Sequence, residues 1–279
     1  MIWENYIRMD SIRSNQTKDD LVTTIKLELS ADIRKKKCFL LVEGNDDVIF
    51  SRKIFQKDVV CYESFSGKAG LDELIESSEL GDYRVIAIKD KDYCNVEALP
   101  ERMFVYDNSC LELMILKNGE VVKGLYCTYY ECYAGTLPEE KIVLNAMRKL
   151  APYSILRMKS EKQGLNINFS KVGFGDLIES EDSFRIEQLF ARLNISDEMV
   201  NECKEESLDW EDELLYEITN GHDICLFLGR IFLNAGKPLG ESGVRNIMLS
   251  NYRKSDFAQT KLYHQIKEYQ SQYGLQYVN

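Results

Sequence analysis

The chain contains few histidines and prolines and no cysteine pair of the kind that binds zinc. Its 279 residues include 2 histidines, 4 prolines and 8 cysteines, and no two cysteines form a Cys-x-x-Cys pair. Two histidines are too few for a nuclease centre built on histidine ligands, and the scattered cysteines indicate neither a disulfide framework nor a zinc site. We therefore expect free thiols and a reducing, cytoplasmic setting.

Long hydrophobic runs and net positive charge are also missing. No apolar stretch approaches the roughly 18 residues that span a bilayer, and residues 1–5 do not resemble the start of a secretory signal. The formal net charge is −11, which disfavours a protein that binds nucleic acid through its phosphates alone. It does not exclude a nuclease, because carboxylates can be metal ligands. An acidic surface also suits docking on a basic partner.

Short apolar runs alternate with helical patterns in the first 120 residues. Strands are predicted at 38–42, 59–62, 84–88 and 103–106. Helices are predicted at 18–35, 45–55, 69–79 and 109–116. This order predicts an α/β fold with a small, mostly parallel four-stranded sheet and helices on both faces.

The pattern changes to a mainly helical one from about residue 135. Helices are predicted at 139–150, 184–193, 196–206, 211–219, 222–235, 241–250 and 255–271, and residues 165–169 suggest extended structure. The predicted organisation is an N-terminal helical segment (1–36), a catalytic α/β domain (37–120) and a helical region (135–279). We expect the helical region to serve dimerisation or partner binding.

Carboxylates follow two of the predicted strands. Glu43 comes directly after the first strand, and Asp90 and Asp92 come after the third. Because the carboxyl ends of neighbouring parallel strands form the ligand-binding edge of a sheet, we expect these three side chains to converge. Hard oxygen ligands of this kind suit Mg²⁺, which completes its shell with water and phosphate. The pattern therefore predicts phosphoryl-transfer chemistry.

Each of these acids also has a purely structural interpretation. Asp46 and Asp47 stand in the first turn of a helix, where acids are stabilising without any catalytic role. Asp47 is also four residues after Glu43, so both can face the same side. Glu43 alone could be a solvated loop carboxylate, and an Asp-x-Asp pair could form a turn. Their joint occurrence after two apolar strands favours the metal site.

The motif residues resemble those of the TOPRIM domain, the Mg²⁺-binding module of topoisomerases, bacterial primases and overcoming-lysogenization-defect nucleases. The resemblance covers about residues 37–120. Glu43-Gly44 is similar to its strand-one Glu-Gly, and Asp90-x-Asp92 is similar to its Asp-x-Asp. Asp47 stands where the overcoming-lysogenization-defect members carry a second acid.

Further residues resemble one subgroup, the TOPRIM effectors encoded beside ABC-type ATPases in PARIS-type bacterial anti-phage systems. These residues are Ser66-Gly67-Lys68 before a helix, Glu112, and Gly221-His222-Asp223 at the start of another helix. The tripeptide at 66–68 is not a Walker A loop, because the upstream glycine and the following Ser or Thr are missing. We therefore expect no ATP binding by this chain.

The resemblance implies a Rossmann-like TOPRIM fold and a Mg²⁺-dependent endonuclease in which Mn²⁺ can substitute. Asp90 and Asp92 would hold Mg²⁺, Asp47 or Glu112 would assist a second ion, and Glu43 would be a metal ligand or general base. Lys68 would neutralise charge on the phosphate, although a solvated cation at a helix start is an equal alternative.

The resemblance also implies partners. An ABC-type ATPase would store the nuclease and release it as a homodimer that cleaves nucleic acid, with tRNA preferred over DNA and no part played by a membrane. An alternative from a different class is a catalytically silent adaptor or sensor bound to the ATPase. Glu43, Asp90 and Asp92 argue against the adaptor, because a purely structural descendant has no need of mutually repelling carboxylates.

Overall fold

The computed structural model describes residues 17–130, 137–169 and 172–279. Contacts within the chain divide it into two compact units. The first unit contains the described residues up to Asp90, together with Asn95–Tyr106 and Arg253–Asn279, and the second contains the described parts of Lys91–Cys94 and Asp107–Tyr252. The domain boundaries expected from the sequence stay predictions, and residues 1–16 of the expected N-terminal segment lie outside the described residues.

The first unit is built on a four-stranded sheet in which every pairing is parallel. Its strands are β1 (Cys38–Val42), β2 (Val59–Glu63), β3 (Val85–Lys89) and β4 (Met103–Val105). Their order in the sheet is β2-β1-β3-β4. Every residue of β1 and β3 is buried, as expected for central strands covered on both faces. The predicted α/β class with a four-stranded parallel sheet is confirmed.

Three helices of the first unit precede or connect these strands. They are α1 (Lys18–Ala31), α2 (Asn45–Ile54) and α3 (Gly67–Glu76). Helix α1 begins at a capping box, in which Thr17 Oγ1 accepts the Asp20 N–H and the Asp20 carboxylate accepts the Thr17 N–H. Its residues Leu21 and Ile25 lie in a core that also contains Phe39 of β1. Burial of that apolar stripe fixes the helix against the sheet.

The second unit is mainly helical, and a mainly helical pattern was predicted for its part from about residue 135 onward. Its helices are α4 (Leu111–Leu116), α5 (Gly119–Tyr129), α6 (Glu139–Gln163), α7 (Ile186–Arg192), α8 (Asp197–Leu208), α9 (Asp212–Ile218), α10 (Gly221–Ile231) and α11 (Gly240–Asn251). A short antiparallel hairpin pairs two strands of two residues each, β5 (Leu233–Asn234) and β6 (Lys237–Pro238). The extended segment expected at 165–169 is wrong, because no strand forms there and Asn166 has a left-handed φ of 53°.

The C-terminal segment belongs to the first unit. It forms α12 (Lys254–Phe257) and α13 (Lys261–Tyr273), where the sequence predicted one helix. The second of these begins at Thr260, whose Oγ1 accepts the Tyr263 N–H at 3.1 Å. The Tyr277 hydroxyl then donates to the Arg84 carbonyl at 2.7 Å. The end of the chain is thereby bound to the amino-terminal end of β3.

Two further features concern membrane-spanning helices and the state of the cysteines. No helix in the described ranges is both long and apolar enough to cross a membrane. Seven described cysteines are free thiols. Burial raises the pKa of Cys203 to about 11 and that of Cys61 to about 12, so both thiols are protonated and unreactive at neutral pH.

Candidate functional site

Glu43 and Asp90 lie together at the carboxyl-terminal edge of the sheet. Glu43 directly follows β1, and Asp90 directly follows β3, which pairs with β1 in parallel register. The Asp90 N–H donates to Glu43 Oε1 at 2.9 Å. This hydrogen bond restrains the orientation of the Glu43 side chain, beside the start of the loop that Asp90 opens.

This edge coincides with the point where the strand order reverses. From β1 the chain passes to β2 on one side, and then to β3 on the other side of β1. In open α/β sheets, the helix connections on the two sides diverge at such a point and leave a crevice outside the strand ends, where ligands bind. Glu43 and Asp90 stand on the two strands that border this crevice.

Asp47 is engaged by two donors within the first unit. Its Oδ2 accepts the Gly44 N–H at 3.0 Å, and its Oδ1 accepts the Tyr106 hydroxyl at 2.6 Å. Asp47 is the third residue of α2, so the first bond caps the helix in the way a first-turn acid does. The capping interpretation of Asp47 therefore describes its observed contacts, and its role as a metal ligand stays a prediction.

Tyr106 is a residue of this edge that the sequence analysis missed. It directly follows β4, is 1% exposed, and its ring meets that of Phe50 edge to face at 6.0 Å. Burial raises the pKa of Tyr106 well above its usual value, and the Asp47 charge adds to the shift, so the hydroxyl remains a donor. The sequence pattern included Tyr106 in the fourth predicted strand (103–106), whereas the strand ends at Val105, so its position after the strand became visible only in the structure.

Lys68 stands in the first turn of α3 and is half-buried. The loop that leads to it starts at the edge of the sheet, because the Ser64 N–H donates to the Val42 carbonyl at 2.8 Å. Ser64 Oγ then donates to the Gly67 carbonyl at 2.7 Å, and Gly67 has a left-handed φ of 54° that favours glycine. The loop of Lys68 is thus anchored beside the end of β1.

Asp92 lies in the second unit, within a turn. The turn is closed by the Cys94 N–H, which donates to the Lys91 carbonyl at 3.0 Å, and the Asp92 N–H donates to the Ser109 carbonyl at 2.8 Å. Asp92 has a φ of 43°, a left-handed conformation that Asp tolerates better than most residues. Its backbone therefore adopts the turn that was the structural alternative for this motif, and its metal role stays a prediction.

Glu112 also belongs to the second unit, in the first turn of α4. Its Oε1 lies 3.3 Å from Nε of Arg245, and both side chains are largely buried. A Cβ at Gly221 would come within 2.3 Å of Glu112 Oε2, so the carboxylate fits closely against that glycine. These contacts describe an internal ion pair, and the role of Glu112 beside a second metal ion stays a prediction.

The Gly221-His222-Asp223 motif starts α10. Asn220 Oδ1 accepts the N–H groups of His222 and Asp223 at 3.1 and 3.3 Å, which is a conventional helix cap. The Asp223 carboxylate is buried and accepts two hydrogen bonds from Arg157, at 2.6 and 2.9 Å. These contacts give the motif a structural role at the start of α10.

The donors at the sheet edge fit Mg²⁺ by chemistry. Among the residues that the structure describes, no group of three or more His, Cys, Asp or Glu side chains is arranged as a ready-made metal site. Glu43 and Asp90 nevertheless supply the hard oxygen atoms that Mg²⁺ prefers, and this ion usually needs only one or two carboxylates beside water and phosphate. Carboxylate oxygens suit Mg²⁺ better than a softer metal, and the role of Glu43 and Asp90 as its ligands stays a prediction.

Comparison with known proteins identifies no family for this chain. No protein-family model matches the chain, and a search of curated proteins gave no match either. The resemblance to TOPRIM nucleases therefore rests on the motif residues, together with the parallel sheet that carries Glu43 and Asp90.

Proposed function

We propose that the chain is a Mg²⁺-dependent endonuclease of the TOPRIM type. The observation that carries this proposal is the 2.9 Å hydrogen bond between the Asp90 N–H and Glu43 Oε1. It joins the carboxyl ends of β1 and β3 at the switch point of a parallel sheet, where α/β proteins bind their ligands. Two acids on those strands suit a cation, and a cation there suits a phosphate substrate.

Each side chain of the proposed site would have a distinct role in catalysis. Asp90, with Asp92 of the same sequence motif, would hold the ion, and Glu43 would complete its ligands or act as general base. Mg²⁺ held there would supply Lewis-acid polarisation of a phosphodiester. Hydrolysis forms a P–O bond from water and breaks the P–O bond to the sugar. Lys68, on the loop anchored beside β1, would offset the negative charge that develops on the phosphate.

The substrate and partners belong to the same proposal. Nucleic acid, with tRNA preferred over DNA, an ABC-type ATPase that stores the nuclease, an anti-phage role and a homodimeric active form all rest on the motif resemblance. The net charge of −11 supports a basic surface on the storage partner.

A second candidate is a catalytically silent adaptor or sensor on the same ATPase. One observation favours it: the carboxylates of two predicted ligands are held by groups of the protein, Asp47 by Gly44 and Tyr106 and Glu112 by Arg245. We place it second because Glu43 and Asp90 remain at the crevice, where an adaptor has no use for them.

A cleavage assay tests the enzyme directly. Purified chain is incubated with total tRNA and, separately, with plasmid DNA in Mg²⁺ or Mn²⁺, and parallel reactions contain EDTA. The matched variants are Glu43→Gln at the site and Glu76→Gln, the same change at an exposed carboxylate at the end of α3. We expect cleavage that EDTA and Glu43→Gln each lower at least about a hundredfold, roughly the effect of losing one charge-stabilising group.

The cleavage assay can also contradict the proposal. If the Glu43→Gln protein cleaves as fast as the Glu76→Gln protein, the activity does not come from this site. If neither polymer is cleaved, even after the chain is co-expressed with an ATPase partner and released from it, the adaptor is the better account.

A further inference from the structure

Tyr106, which directly follows β4, has contacts with β3 and α2 at the edge where the proposed site lies. Its hydroxyl donates to Asp47 Oδ1 at 2.6 Å, and its N–H donates to the Lys89 carbonyl at 3.2 Å. Lys89 is the last residue of β3, so Tyr106 holds both α2 and the strand that Asp90 follows. The ring is buried against Phe50, which keeps the hydroxyl from turning away.

The contacts of Tyr106 reach Glu43 through Asp47. Asp47 accepts the Tyr106 hydroxyl on one oxygen and the Gly44 N–H on the other. Gly44 is the residue after Glu43, so its N–H belongs to the peptide bond that carries the Glu43 carbonyl. Glu43 in turn accepts the Asp90 N–H. These bonds form a connected network, in which each bond restrains its neighbours.

We propose that Tyr106 is a positioning residue for Glu43 and Asp90, and that Asp47 acts through the Gly44 turn rather than as a metal ligand. This inference rests on the proposed function. A site for Mg²⁺ needs its carboxylates held within about 0.5 Å of the required geometry. The Tyr106 hydroxyl, held in place by the packing of its ring, supplies that restraint. Tyr106 follows β4, a strand that contains none of the predicted metal ligands.

The first test measures amide hydrogen exchange and needs no metal. Tyr106→Phe keeps the ring and removes only the hydroxyl. We expect exchange of the Gly44 and Asp90 amides to become about fivefold faster, the factor for loss of one hydrogen bond. The matched control is Tyr277→Phe, which removes an equally buried hydroxyl at the opposite end of β3 and should leave both amides unchanged.

The second test measures Mn²⁺ affinity by calorimetry on the same proteins. Removing a group that orients a metal ligand costs roughly tenfold or more in affinity, so we expect about a tenfold loss in Tyr106→Phe and none in Tyr277→Phe. In an Asp47→Ala protein, adding Tyr106→Phe should lower the Mn²⁺ affinity less than twofold, because both changes break the same series of hydrogen bonds. A purely structural tyrosine would not produce this non-additivity.

The outcomes separate the two proposals. If the parent chain binds no Mn²⁺, the proposed function is lost, and the amide exchange still shows whether Tyr106 restrains the turn. Unchanged exchange in a folded Tyr106→Phe protein overturns the positioning role, as does equal acceleration in Tyr277→Phe. An unchanged Mn²⁺ affinity in Tyr106→Phe, beside normal binding by the parent chain, overturns it as well.

Discussion

Arg157 is the cation that pairs with the buried carboxylate of Asp223. It donates two hydrogen bonds to Asp223, and its guanidinium lies over the rings of Tyr153 and Phe169 at 4.9 and 4.5 Å. Burial raises the pKa of Asp223, and Arg157 opposes that shift. The carboxylate therefore has a strong counter-charge and little contact with water.

Removing that counter-charge should be costly. We expect Arg157→Met to lower the free energy of unfolding by about 3–5 kcal/mol, because it leaves a buried carboxylate without its cation. The double variant with Asp223→Asn should recover part of the loss. Urea unfolding followed by circular dichroism measures both. A cost below about 1 kcal/mol for the single variant would mean that water reaches Asp223 more freely than its burial indicates.

The residues of the site differ in how far the sequence alone could find them. Glu43 and Asp90 were predictable because each follows an apolar run, Glu43 directly and Asp90 after Lys89, and adjacent parallel strands end at one edge. Tyr106 follows β4 in the same manner, but its contact with Asp47 spans 59 residues, and no spacing rule connects the two. Long-range contacts of single hydroxyl groups depend on the completed packing, so local pattern does not reveal them.

At the scale of elements, α10 and α11 depend on close approach at one glycine. A Cβ at Gly229 would lie 2.4 Å from the carbonyl carbon of Gly240 and 2.8 Å from the Glu241 nitrogen. These are backbone atoms, which cannot rotate away as the end of a side chain can. The first turn of α11 is therefore in contact with the surface of α10 that Gly229 leaves open.

A pair of glycine substitutions tests this packing. Gly229→Ala should lower the free energy of unfolding by about 1–3 kcal/mol, as overpacking does. Gly119→Ala, at the first residue of α5, meets no atom within 4 Å and should be neutral or stabilise by up to about 1 kcal/mol. Urea unfolding of the two proteins side by side gives both values. Equal stability of the two variants would contradict the close contact.

The helices show where sequence patterns mislead. Helix α6 was expected at 139–150 but extends to Gln163, past Pro152. A proline inside a helix costs about 3 kcal/mol, and here its neighbours Ala151 and Tyr153 are both buried, so tertiary packing offsets that cost. The strands were easier to predict, because a short apolar run between two helical segments is typical of a buried strand in an α/β fold.

At the scale of the whole molecule, local sequence patterns do not show how distant segments combine into compact units. The first unit uses residues 253–279 of the C-terminal segment in addition to the sheet, and Tyr277 bonds to the residue before β3. Helical periodicity shows that such a segment has an apolar face, but it does not show which core receives that face. The composition of each unit therefore follows from long-range contacts alone.

The net charge is the other property of the whole molecule that bears on function. At −11, the chain repels a polyanion at long range, and salt weakens that repulsion. A cation bound between Glu43 and Asp90 would reduce the negative charge at the point where a phosphate must enter. Metal binding is therefore the step on which the whole account depends.

The most direct test is the effect of Mg²⁺ on the stability of the intact chain. An ion that binds only the folded state at about a hundred times its Kd raises the free energy of unfolding by about 2.7 kcal/mol. We predict this rise in the parent chain and in Glu76→Gln, and its loss in Glu43→Gln and Asp90→Asn. No rise in the parent chain, or the same rise in all four proteins, would contradict a metal site at this sheet edge.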